Sequence, residues 1–146
     1  MSSRTEIPTS AFSPAPTRSS GRDLVGRGLM WLAAVAAAAS AVSAVATVAG
    51  ADDSTRVVES WRMYGFAVFA GLFVLLALRP RDYRGLWELV ILNKAALTFT
   101  GLFFLGSASG AGTVVVWDGA LTVVLVVAYV CCRGWTARPR FRRTTA

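Results

Sequence analysis

Residues Thr113–Cys132 read TVVVWDGALTVVLVVAYVCC, a run in which Asp118 is the only acidic or basic residue. A helix needs about 20 predominantly apolar residues to cross a hydrocarbon core of roughly 30 Å, whereas a spanning strand needs only about 9–11. The stretch therefore reads as a transmembrane helix. Three more apolar runs lie upstream: Gly28–Ala49, Trp61–Leu78 and Leu86–Gly106. The second is the shortest, so Arg62 at its mouth is expected to snorkel to the headgroups. Four such runs are too few to close a barrel. The fold class is therefore all-α integral membrane.

Composition agrees. Hydrophobic residues make up 55% of the 146, and charged residues only 16%, against about 25% charged in soluble domains. The length allows one domain. The chain has no histidine, which removes histidine acid–base chemistry and most catalytic zinc sites. Its two cysteines, Cys131 and Cys132, are adjacent and form neither a disulfide framework nor a C-x-x-C motif. Phosphate-cradling glycine loops are absent. No metal and no cofactor is expected.

Residues 1–27 are polar and rich in Ser, Thr and Pro, and read as a disordered tail. The transmembrane domain spans 28–132, and a basic tail covers 133–146. Short connections at about Gly50–Ser60, Arg79–Gly85 and Ser107–Gly112 make sequential helices antiparallel neighbours, giving an up-down bundle of four transmembrane helices. Arg4, Arg18, Arg22 and Arg27, then Arg79, Arg81 and Arg84, then Arg133, Arg138, Arg140, Arg142 and Arg143 fall on one side. Only Arg56 and Arg62 fall on the other, with Asp52, Asp53 and Glu59. The positive-inside rule then puts both termini in the cytoplasm. A competing reading comes from Ala49-Gly50-Ala51, which fits a signal-peptidase site. The preceding apolar run of about 20 residues exceeds the 7–15 typical of a signal peptide.

Intramembrane polar residues are the candidate site. Lys94 sits about 12 Å from the inner boundary at 1.5 Å per residue. A lysine at that depth costs about 2.5–3.5 kcal/mol on insertion scales, so it should face protein or water. Thr98 shares its face, and Asn93 lies on the adjacent face with Thr100. Asp118 lies about 7–8 Å below the outer boundary, with Thr122 and Tyr129 on its stripe. Counted this way, Lys94 and Asp118 differ in depth by about 10 Å. That leaves two pairings open: a strained Lys94–Asp118 pair, with Thr122 or Tyr129 assisting Lys94, or Arg62 with Asp118 and Lys94 left to a lipid phosphate or ligand. Glu88 and Arg62 are helix-mouth charges, with Arg84 or the headgroups as partners for Glu88. A register-fixing ion pair is favoured over a functional one; in the functional case an anionic or quinone-like ligand near Lys94 and Tyr129 is the natural choice. The small residues of the first helix, Ala33 to Ala44, are read as internal packing ahead of a homodimer face.

The tail arginines Arg133, Arg138, Arg140, Arg142 and Arg143 lie among Trp135 and Phe141 with no acid. They set topology, and the partner they suit is anionic lipid headgroups, at about 1 kcal/mol each, in preference to nucleic acid.

Tyr64-Gly65 opening an apolar helix with Gly71, then Ala77-Leu78-Arg79 and a basic turn, with Lys94 and Asp118-Gly119 on the next helices, resembles small four-helix bacterial membrane proteins of the DoxX-like group and related uncharacterised families. The alanine-rich first helix departs from that pattern. The resemblance implies a link to quinone or redox membrane complexes, while the arginine-over-lysine bias and the high Ala, Val and Gly content suit a GC-rich bacterium and place the chain in a bacterial plasma membrane. The function expected is a non-enzymatic accessory or interaction subunit of a membrane complex, with a protein partner or a homo-oligomer. The alternatives are an oligomeric transporter or channel using Lys94 and Asp118, and a quinone-linked membrane protein.

Overall fold

The computed structural model describes residues 21–83 and 85–136. Four helices run α1 Gly21–Ala49, α2 Arg56–Leu78, α3 Leu86–Phe103 and α4 Ala111–Cys132, followed by a single 3-10 turn at Gly134–Thr136. All four are long and apolar enough to cross a membrane, and there is no strand among the described residues. Leu32, Val42, Leu92, Phe99, Phe103 and Trp117 are all exposed. Apolar groups in such number on every helix suit a hydrocarbon solvent.

The helix ends have local causes. Arg79 precedes Pro80, whose ring disfavours the α conformation in the residue before it, and Arg79 leaves the helix at φ −137°, ψ 68°. Gly85 and Gly110 open α3 and α4 at φ 81° and 84°, a region that glycine enters without a Cβ penalty.

One boundary differs from the sequence reading. Helix α1 begins at Gly21, not at Gly28, so residues 21–27 are helical and not part of a disordered tail. Tertiary contacts hold this polar turn. Gly26 lies against Cys132, Ala128 and Cys131. The Arg27 Nε donates to the Ala77 carbonyl at 2.8 Å, and Asp23 pairs with Arg81 at 2.6 Å.

These contacts also fix the topology. The start of α1 meets the ends of α2 and α4, and Gly101 near the end of α3 meets Ala111, Val114 and Val115 at the start of α4. The helices therefore alternate in direction, and both ends of the described chain emerge beside the Arg79–Gly85 connection. Adjacency is less regular than expected. Helix α1 packs on α2 and α4, and α3 packs on α4, but α2 and α3 make no comparable backbone contact. The buried core lies in the half nearest that connection, where Met30, Phe73, Leu76, Trp87, Val90, Leu125 and Cys132 meet. Ala33, Ala34 and Ala37 join it, so this small-residue face of α1 serves internal packing.

Candidate functional site

Lys94 is the only buried charged residue of the described chain. Its Nζ lies 2.7 Å from Asp118 Oδ1, with side-chain exposures of 6% and 15%. The α3–α4 register produces the pairing. At Gly101, a Cβ would come within 2.8 Å of Val115 Cγ2 and 3.2 Å of the Ala111 carbonyl. Only glycine lets the two backbones close at that level. At Gly119, Thr98 Cγ2 lies 3.4 Å from where a Cβ would stand, an ordinary packing contact between the two helices. Two helices in contact at these points bring Lys94 and Asp118 level.

The strain expected from a depth difference of about 10 Å does not arise. Helix α3 stops at Phe103 and α4 starts at Ala111, whereas the apolar runs suggested Gly106 and Thr113. Counted from the true helix ends, Lys94 is about 13 Å from the end of α3 and Asp118 about 10 Å from the start of α4, at the same end of the bundle. A lysine side chain closes that difference easily.

A third helix completes the site. The Phe69 ring of α2 lies 4.2 Å from Lys94 Nζ. A cation over an aromatic face gains about 0.5–2 kcal/mol, more when desolvated. The ammonium thus bridges α2, α3 and α4, and joins α2 to α3 where their backbones make no close contact. Its position roofs the buried core.

The threonines do not ligate Lys94. Thr98 Oγ1 donates to the Lys94 carbonyl at 2.8 Å, and Thr122 Oγ1 to the Asp118 carbonyl at 2.7 Å. Each satisfies its own hydroxyl on the preceding turn, as a membrane interior demands. Tyr129 is not near Lys94 either: its hydroxyl donates to Glu88 Oε1 at 2.9 Å. Glu88 was expected to reach Arg84 or the headgroups, and Arg84 lies outside the described residues. Arg62 pairs with Glu59 at 2.6 Å, which removes the Arg62–Asp118 alternative. Asn93 is exposed on the outer face of α3, apart from the ion pair.

A second cluster closes the end near the Arg79–Gly85 connection. Trp87 Nε1 donates to the Pro80 carbonyl at 2.8 Å. The Trp87 and Tyr129 rings meet edge-on at 5.9 Å, and Tyr129 meets Trp135 at 5.7 Å. Gly134 fits beneath Tyr129 and Trp87, where any Cβ would clash. Arg81 binds Asp23 and also donates to the Cys132 carbonyl at 2.9 Å. Of the expected lipid-binding tail, Arg133 is exposed and caps α4 at φ 52°. Arg138, Arg140, Arg142 and Arg143 lie outside the described residues.

Sequence reasoning missed Phe69, Asp23, Arg27 and Arg81 as polar-site partners. Asp23 carried a usable signal, since it is an acid set between Arg22 and Arg27 just before the first apolar run. Phe69 carried none, because an aromatic on an apolar helix has no distinguishing neighbour in sequence. Comparison of the chain with family models, with curated proteins and with solved structures gives no match.

Proposed function

We propose that this chain is a non-enzymatic accessory or interaction subunit of a bacterial plasma-membrane complex, with both termini in the cytoplasm. The observation that carries this reading is the Lys94–Asp118 contact at 2.7 Å. The one buried charge is neutralised within the bundle and capped by Phe69, so it acts as a register lock between helices. Buried pairs of this kind specify an arrangement more than they add stability. The outward faces, rich in exposed apolar side chains, are left for lipid and for partner helices. The likeness to DoxX-like proteins supports the bacterial membrane setting, and the basic segment from Arg133 onward supports contact with anionic headgroups.

The test combines reconstitution with native mass spectrometry. Purified protein in liposomes should pass no protons or alkali cations above empty liposomes. Complexes released gently from membranes should contain this chain at fixed stoichiometry with another membrane protein. Ion flux that vanishes in Asp118→Leu would instead establish the transporter reading, in which the Glu88–Tyr129 and Lys94–Asp118 contacts along one α3–α4 seam form the pathway.

A further inference from the structure

Helix α3 is 18 residues long, about 27 Å at 1.5 Å per residue. Asn93 lies about 10 Å from its first residue and about 15 Å from its last. The residue is exposed, and its amide makes no hydrogen bond among the described residues. An asparagine side chain is far too short to snorkel from that depth. Its carbonyl and NH2 groups therefore face hydrocarbon, where unsatisfied polar groups cost several kcal/mol. Every other polar side chain at comparable depth on α3 and α4 is bonded: Lys94 to Asp118, Thr98 and Thr122 to backbone carbonyls.

The surroundings of Asn93 form a packing face. Leu89, Asn93, Ala96, Thr100 and Phe103 are all exposed and recur at alternating spacings of four and three. That is the seam of a left-handed helix pair. Ala96 and Thr100 at its centre are small enough for two backbones to approach. In the monomer α3 packs its backbone closely only on α4, so this face is open.

We propose that α3 of one copy docks on α3 of a second copy along this face, with the two Asn93 amides exchanging hydrogen bonds at the two-fold axis. Identical chains inserted with the same orientation hold their α3 helices parallel and their Asn93 residues at the same depth. An amide carries both donors and an acceptor, so the same residue on a second copy is its natural complement. A single polar residue at such a seam fixes register and oligomeric state. This inference deepens the interaction-subunit reading and rests on its placing α3 in a bilayer.

The test measures self-association of the full chain in liposomes of phosphatidylcholine and phosphatidylglycerol. Energy transfer between labelled copies is followed as the protein-to-lipid ratio is varied. The wild type should form dimers. Asn93→Leu should lower the dimerisation constant roughly three- to thirtyfold, the range of interhelical polar contacts in membranes. Asn93→Gln should retain most of the association, and Ala46→Leu, on exposed α1, should leave it unchanged. Thermal unfolding of Asn93→Leu in detergent should match or exceed the wild type, showing that the fold is kept. Undiminished association of Asn93→Leu, or a monomeric wild type, would overturn the proposal. A monomer that still assembles with another membrane protein would do so while leaving the accessory reading in place.

Discussion

Lys94 on α3 and Asp118 on α4 meet at 2.7 Å in the interior of the bundle, with the Phe69 ring against the same ammonium. Removing one member leaves the other buried without a counter-charge, at a cost of roughly 3–5 kcal/mol, whereas apolar replacement of both can be neutral. Lys94→Leu and Asp118→Leu should each destabilise the protein strongly. The double variant should recover most of the loss. Unfolding in detergent gives the coupling through a double-mutant cycle, and strictly additive effects would refute the direct pair.

Gly26 and Gly28 give a contrast within one helix. A Cβ at Gly26 would overlap Cys132 Sγ and press on the Ala128 carbonyl, whereas Gly28 has nothing within 4 Å. Gly26→Ala should force α1 away from α4 and cost about 1–3 kcal/mol, as overpacking does. Gly28→Ala should be neutral or stabilise by about 0.5–1 kcal/mol through helix propensity. Melting temperatures of the two variants should move in opposite directions or differ clearly in size.

Arg81 ties the connection between α2 and α3 to α1 and α4 through Asp23 and the Cys132 carbonyl. Its side chain is 42% exposed, so solvent screens the ion pair and the pair alone contributes at most about 1 kcal/mol. Arg81→Met should therefore cost on the order of 1 kcal/mol. The wild type's advantage over Arg81→Met should shrink as salt is raised. An effect independent of salt would assign it to the carbonyl bond and not to Asp23.

Much of this was legible in the sequence. Four apolar runs announced four helices, and the insertion cost of Lys94 announced that it would turn inward. Asp118 was one of two pairings left open, and which of them holds was not legible. The strings of apolar letters put the helix ends at Gly106 and Thr113, while α3 stops at Phe103, with Phe104 to Gly106 already in the turn, and Gly110 starts α4 early. A shift of a few residues at each end changes relative depth by several ångströms, enough to make a level pair look strained. The helical turn before Gly28 was hidden for another reason. Gly21–Arg27 is polar, and what holds it helical is Asp23, Gly26 and Arg27 meeting residues from α2 and α4 and their connections, contacts that local propensity does not encode.

Topology is the last prediction, and the geometry sharpens its basis. Arg22, Arg27, Arg79, Arg81 and Arg133 gather at one end of the bundle, and among the described residues only Arg81 of these is in an ion pair. At the other end Arg56 pairs with Asp53 and Arg62 with Glu59. Acidic residues contribute little to orientation, so the bias comes from the number of arginines beside the spans. Reporter fusions at Ala146 and before Gly21 should both read cytoplasmic, and a fusion at Ser54 external. An external reading at Ala146 would invert the proposed orientation. Intact mass of the membrane-extracted protein tests the companion question of cleavage after Ala51. Loss of α1 would strip Met30, Ala33, Ala34 and Ala37 from the core and uncover Phe73, Leu76 and Ala77. Retention of α1 is therefore the expected result, and a mature chain starting at Asp52 would contradict it.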